Sequence, residues 1–366
     1  MTPPPTTAQQ PPDGGFFKAS GLTVCVETDD GLVRAVDGLS FGVERGRTLG
    51  IVGESGSGKT AAALALMGLH HSARTRVSGE IWLEGKEITS AGPDHMRRLR
   101  GGTIAMIFQD PLTSLHPYYT VGAQVIEAYK AHHPGVSRPE AHRRAVEMLG
   151  RVGIPQPDRR AEEYPHQFSG GMRQRVVISM ALVNSPRLLI ADEPTTALDA
   201  TVQAEILDLI RDVQEESGTA VILITHDLDV VAEAADDVLV MYAGRCVEKG
   251  PVRDVFNAAA HPYTWGLLTS MPRMDVRRQD RLVPIPGNPP SLLSLPTGCA
   301  FHPRCPYAQR NGELSFSQVP GLTGAGGPSH QVACHLPSGE RQRIFREEIA
   351  PLLQWPAPDT GRSSPP

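Results

Sequence analysis

Apolar positions along the chain fall into two rhythms. From Leu22 they come in short runs, Leu22–Val26, Leu32–Val36 and Leu39–Val43, separated by the polar or glycine-bearing turns Thr28–Gly31 and Glu44–Gly46. Such runs between such turns predict strands. Thr48–Val52 is apolar throughout and predicts a buried strand, and Ala61–Met67 begins a helix. Val77–Leu83 and Glu87-Ile88, joined at Glu84-Gly85, predict a hairpin. A basic helical stretch, His95–Arg100, precedes a buried-type strand, Ile104–Phe108, that ends at Gln109. Over 120–185 the rhythm becomes helical, with Val121, Val125, Ile126 and Tyr129, then Ala145, Met148, Leu149 and Val152. Two more uninterrupted apolar runs, Arg187–Ala191 and Ala220–Thr225, flank an amphipathic helix marked by Val202, Ile206, Leu209, Ile210 and Val213. Strands apolar on both faces and alternating with helices predict a parallel sheet covered on both sides. Val238–Met241 and Arg245–Glu248, with a turn at Gly244, close this part.

Beyond Gly250 the composition becomes proline-rich, which leaves little room for long helices. The expected organisation is therefore a main domain over 20–255, with a helical subdomain at about 112–185, and an extension over 256–340. Residues 1–16 are Pro/Thr/Gln-rich and expected to be disordered. Residues 341–366 read as a frayed tail, with Ile344–Leu353 open to forming one helix. With 366 residues, 40% hydrophobic and 20% charged, the composition is that of a soluble globular protein. A net charge of −5 gives no support to a nucleic-acid partner. No apolar run approaches the ~20 residues that span a bilayer, and no secretory signal is visible at the N-terminus. Five cysteines, an odd number in a long chain, favour a reducing compartment, so a cytoplasmic location is expected.

The chemistry concentrates where the Thr48–Val52 strand runs into Gly53, Glu54, Ser55, Gly56, Ser57, Gly58, Lys59, Thr60 and Ala61. This is G-x-x-x-x-G-K-[ST] in strand–loop–helix context. Its glycines let backbone N–H groups turn inward around an anion, and the following helix points its positive end there. Lys59 is expected on the β/γ-phosphates, and the Thr60 hydroxyl on Mg²⁺. A nucleoside triphosphate is the expected ligand. Asp192 and Glu193 follow the Arg187–Ala191 run, at the carboxyl end of a core strand, where open parallel sheets place ligands. Alone, such a pair reads equally well as a helix cap, with Thr195 and Asp199 also cap-like. Beside a phosphate loop, Asp192 is expected to complete the Mg²⁺ shell and Glu193 to act on the attacking water.

With these parts in place the chain resembles an ATP-binding cassette (ABC) ATPase, the nucleotide-binding subunit of a transporter. Phe168, Ser169, Gly170, Gly171 and Met172, continuing to Arg175, resemble the family's signature sequence. Gln109 resembles the Q-loop glutamine, Ala197-Leu-Asp199 the D-loop, and His226 the switch histidine. The resemblance implies an α/β fold: a P-loop NTPase with a RecA-like parallel-sheet core, an antiparallel β subdomain, an inserted helical subdomain and a small Pro/Cys-containing C-terminal extension. It further implies that Glu193, His226 and Gln109 are catalytic, and that Thr60, Gln109 and Asp192 hold Mg²⁺. The signature residues would act in trans on the ATP of a second cassette in a head-to-tail dimer. Two membrane permease subunits and an extracytoplasmic substrate-binding protein complete the implied complex, which would place the chain peripherally on the cytoplasmic face of the membrane.

Phe168 and Met172 in the signature, with His261–Thr264, Ile285–Pro290 and Gly298–Tyr307, are similar to the oligopeptide and dipeptide importer branch. Nickel or glutathione cargo, and a DNA-repair, chromosome-organising or non-hydrolysing cassette, are the alternatives. No heptads or Cys-x-x-Cys pairs favour the repair type, and Glu193 and His226 count against a non-hydrolysing one. There are two departures from the pattern. Val26 stands where cassettes usually stack an aromatic on adenine. Some members of the branch hold a [4Fe–4S] cluster on four cysteines; here Cys299, Cys305 and Cys334 match, and Gly312 stands at the remaining place. His302, His330 or His335 are the possible substitutes, and a set of buried or free thiols is the simpler reading.

Overall fold

The computed structural model describes residues 15–70, 73–90, 92–110, 114–196, 198–271, 284–327 and 329–353. Of the expected disordered stretch 1–16, residues 1–14 lie outside them, as does the end of the expected tail, 354–366; Phe16 is described and is buried in the core, so the stretch ends earlier than expected. The chain divides into two compact units, one of residues up to 246 with Ser291–Ser294, the other formed by the rest from Val247.

In the first unit, β1 (Phe17–Thr28) and β2 (Gly31–Val43) pair along their length and β4 (Thr75–Leu83) joins the other side of β1. The sheet order is β2-β1-β4-β5, with β5 at Lys86–Glu87, all antiparallel. Three apolar runs here become two long strands. Gly38 takes φ 68° and the β1–β2 register shifts near Leu22 and Val24, so irregularities that look like turns in sequence are absorbed within continuous strands.

The second sheet of this unit carries, in order, β9 (Asp237–Tyr242), β3 (Thr48–Val52), β8 (Ala220–Thr225), β7 (Leu188–Asp192) and β6 (Ile104–Ile107), all parallel. Alternate residues point to opposite faces of a strand. Leu188, Ile190, Ile222 and Ile224 enter a core shared with the antiparallel sheet and the helix Lys59–Leu66. Leu189, Ala191, Val221 and Leu223 enter a second core beneath the helices Val121–Lys130, Arg138–Arg151, Gly170–Leu182 and Ala200–Ser217. Both faces are dry, which is why polar residues in these strands are confined to their ends. Each helix starts on a side-chain cap: Thr120 accepts from Ala123 N, Ser137 from Glu140 N, Ser169 from Met172 N and Asp199 from Val202 N.

In the second unit, β10 (Arg245–Pro251) pairs with β12 (Gln331–Val332), which pairs with β11 (Thr323–Gly324). The short helices Val252–Asn257 and Pro262–Thr269 follow β10. Trp265 is fully buried, donates from Nε1 to the Ala259 carbonyl at 2.7 Å and packs edge-on against Tyr307. Residues 338–353 are helical, with Arg341, Ile344, Phe345 and Leu353 buried. The tail reading therefore fails for 341–343, and the helix left open for Ile344–Leu353 forms, with Ile344, Phe345 and Leu353 supplying part of the unit's buried interior.

Candidate active site

Strand register assembles the site. Val52 is level with Thr225, and Asp192 with Ile224, while Ile107 is level with Ala191. The carboxyl ends of β3, β8, β7 and β6 thus share one edge, and the loops beyond them carry residues 53–60, His226, Glu193 and Gln109.

The phosphate loop is shaped by close backbone approach. A Cβ at Gly53 would lie 2.2 Å from the Met241 carbonyl oxygen. One at Gly58 would lie 2.2 Å from the Ala35 oxygen, and Gly58 has φ 105°. Lys59 is buried and donates from Nζ to the carbonyls of Gly53 at 2.6 Å and Glu54 at 3.1 Å. Burial lowers its pKa, against the opposing pull of Glu193, Asp192 and Glu54.

Asp192 is fully buried. Burial raises its pKa, and Glu193 adds to the rise, whereas a hydrogen bond from Thr60 and the charge of Lys59 oppose it. Asp192 Oδ1 and Ser57 Oγ are buried without hydrogen-bond partners. A buried carboxylate oxygen left open beside a threonine hydroxyl is a hard-oxygen donor set that fits Mg²⁺.

Glu193 is the centre of the polar network. Its Oε2 accepts from Gln109 Nε2 at 2.9 Å and from Thr196 Oγ1 at 2.9 Å, and its Oε1 lies 3.3 Å from His226 Nδ1. Burial alone would raise its pKa; the hydrogen bonds from Thr196 and His226 and the charges of His226 and Lys59 outweigh it, so the net shift is downward. The carboxyl is ionised at neutral pH. Its backbone sits at φ 50°, the left-handed region that non-glycine residues rarely adopt, and its N–H donates to Ile224 O at 2.8 Å. Such strained conformations concentrate at functional sites.

The signature residues are arranged otherwise. Phe168 is buried, Ser169 caps the helix Gly170–Leu182, and Gly170 is exposed with nothing within 4 Å of a Cβ position. Gln174, one turn into that helix, is buried and donates to the Pro194 carbonyl at 2.7 Å, tying the signature helix to the acidic loop. Asp199 caps Ala200–Ser217; Ala197 lies outside the described residues. Thr196 and Gln174 escaped the sequence reading as site residues. Their only signal was position, next to Glu193 and inside the signature stretch. Val26, in β1, packs against the core.

In the second unit Cys299, Cys305 and Cys334 line a cavity of about 20 Å³, room for roughly one water. Burial pushes the thiol of Cys305 up to about 12 and that of Cys334 to about 11, and raises that of Cys299. His302 Nδ1 is bonded to Cys299 O and His335 Nε2 to Gln318 O. Gly312 has no atom within 4 Å of a Cβ position. Among the described residues no three His, Cys, Asp or Glu side chains are placed to hold a metal ion. Cys299, Cys305 and Cys334 are the three thiols that line this space, and a cluster held by four thiolates needs one more than they supply.

Residues 36–196 match the family described as ABC transporter, and residues 247–311 match the family described as the C-terminal region of oligopeptide/dipeptide transporters. The chain is 52% identical to the oligopeptide transport ATP-binding protein OppD of Escherichia coli, over 82% of this chain and 88% of that protein. It is 45% identical to a putative peptide import ATP-binding protein of Brucella abortus, over 89% and 96%. It is also 52% identical to OppD of Mycobacterium tuberculosis, but spans only 47% of that protein's length. Among solved structures it is similar to an ATP-binding cassette in a dimeric, post-hydrolysis state bound to ADP and Pi, with TM-score 0.59 and 27% identity over 65% of this chain and 99% of that one. Among the described residues no helix is long and apolar enough to cross a membrane. A phosphate loop and an acidic strand end on one sheet edge, with a signature helix tied to the acidic loop, joined to this degree of similarity, place the chain in the ABC transporter ATP-binding family, in its oligopeptide transport branch.

Proposed function

We propose that the chain is the ATP-hydrolysing subunit of a membrane importer for oligopeptides or dipeptides. The observation that carries the hydrolytic reading is Glu193: an ionised carboxylate, held by three side chains, on the edge that also bears the phosphate loop. Glu193 accepts a proton from the attacking water, whose oxygen bonds to the γ-phosphorus as the bond to ADP breaks. Lys59 exchanges its two carbonyl partners for phosphate oxygens and offsets the charge that develops there. Thr60 and Asp192 would hold Mg²⁺, which would supply Lewis-acid neutralisation of the phosphate charge. His226 senses the terminal phosphate through its contact with Glu193, and Gln109 links that contact to the helical region.

The signature residues work in trans. The exposure of Gly170, its open Cβ position and the cap at Ser169 support a helix N-terminus offered to a second cassette's ATP in a head-to-tail dimer. A groove of about 640 Å³, lined by Phe108, Met106, Ala128, Ala131 and Met180, lies beside Gln109. Phe108, in its wall, is 40% exposed, and the groove offers an apolar surface suited to a permease subunit. Two permeases and an extracytoplasmic substrate-binding protein then complete the importer, with this chain on the cytoplasmic face. The test is ATP-dependent dimerisation followed by light scattering, with phosphate release measured in parallel. Dimers with ATP·Mg²⁺ that dissociate as phosphate appears are expected; hydrolysis by a strict monomer would overturn the arrangement in trans.

A further inference from the structure

The second unit contains a cavity of about 610 Å³ that the nucleotide chemistry does not use. Its volume is that of a small-molecule site. Three guanidinium groups, from Arg253, Arg341 and Arg346, line it against the single carboxylate of Asp254. Arg341 is the decisive one. It is only 4% exposed, and its Nε is buried with no hydrogen-bond partner. Its Nη1 reaches only the Cys334 carbonyl, at 3.4 Å.

The same helical run shows that pairing was possible. Arg343 meets Glu347 at 3.2 Å, and Glu340 meets Arg310 at 2.9 Å. Arg341 and Arg346, which face the cavity, meet no carboxylate within ion-pair distance among the described residues. A buried cation without a carboxylate partner is costly, and proteins retain one where something else supplies the negative charge. The other polar groups of the wall cannot do so. His330 is held by Glu248 at 2.8 Å, with both side chains buried, and Asn257 and Gln342 are neutral. Ala259, Ala260 and Phe345 give the rest of the wall an apolar character.

We infer that this cavity is a second ligand site, separate from that for ATP, which binds a small organic oxyanion. The carboxylate or phosphate group pairs with Arg341 and is flanked by Arg253 and Arg346, while the apolar wall takes the body of the ligand. Asp254 disfavours a second negative charge at its own side. The arrangement matches bidentate recognition of a planar or tetrahedral oxyanion by guanidinium.

The test is titration calorimetry on the full chain, saturated with a non-hydrolysable ATP analogue and Mg²⁺ so that the whole triphosphate site, γ-phosphate position included, is filled. The buffer is free of phosphate and carboxylate, and the probes are succinate in one arm and inorganic phosphate in the other. At least one probe is expected to bind at one site per chain, and which arm responds tells carboxylate from phosphate recognition. Arg253→Ser and Arg346→Ser, both at exposed positions, should each weaken binding about tenfold. Arg341→Met should abolish it, and Asp254→Asn should strengthen it. No binding of either probe at ~10 mM, or unchanged affinity in Arg253→Ser and Arg346→Ser, would overturn the assignment whatever the folding state of Arg341→Met. Binding of the ATP analogue serves as an internal control, because no phosphate-loop residue lines this cavity.

Discussion

Replacing Glu193 by glutamine separates the chemical role of this residue from its structural one. The amide is nearly isosteric. Its oxygen can still accept from Gln109 and Thr196, the two donors at 2.9 Å, while its NH₂ faces His226, which can accept through Nδ1 as the neutral imidazole. One hydrogen bond is re-formed rather than lost, so stability should change by no more than about 1 kcal/mol. The substitution removes proton acceptance. General-base catalysis contributes about 10²–10⁴-fold in rate, or roughly 3–5.5 kcal/mol of barrier. It also removes a negative charge that faces Lys59 and the triphosphate, so ATP should bind at least as tightly. Phosphate release under saturating ATP should fall by two to four orders of magnitude, with an unchanged melting temperature. Light scattering should show a longer-lived ATP dimer. Turnover within tenfold of wild type would remove Glu193 from the reaction. A loss of ATP affinity would mean that the carboxylate organises the phosphate loop instead.

Other outcomes follow from the same geometry. Gly58→Ala places a Cβ 2.2 Å from the Ala35 oxygen at a left-handed φ, where the conformation alone costs about 1–2 kcal/mol; calorimetry should show weaker ATP binding and fluorimetry a lower melting temperature. Gly170→Glu adds a side chain into open space, so melting temperature and ATP affinity should hold while dimerisation and turnover are lost; a normal dimer would count against the role in trans. His261 should make stability depend on pH. Burial, and secondarily Arg341, lowers its pKa from 6.5 to about 3, so the unfolded chain binds a proton between those values and the folded chain does not. Its stabilising contribution is whole above pH 6.5 and falls by about 1.4 kcal/mol per pH unit on acidification through that window. His261→Asn should flatten the fall in melting temperature between pH 7 and 5, and an unaltered slope would refute the assignment.

What the sequence alone determines here is local or periodic. The phosphate loop is legible because strand, glycines, Lys59, Thr60 and helix are contiguous, and the backbone conformation they need excludes other residue types. The doubly covered sheet is legible because strands dry on both faces are apolar throughout their interior, with polar residues only at their ends. Contacts between distant residues are a different matter. Gln109 reaches Glu193 across 84 positions, and only the level alignment of β6, β7 and β8 brings their ends together. The antiparallel sheet merged three runs into two strands because its backbone absorbs Gly38 and the register shifts beside it, which pattern reads as breaks. In the second unit no spacing could announce that Arg253, Arg341 and Arg346 line one cavity, or that the helical run 338–353 belongs to a core. Short elements joined by long irregular stretches leave no period to read. Which side chains meet is settled there by packing, where apolar burial is shared among segments that carry no record of one another.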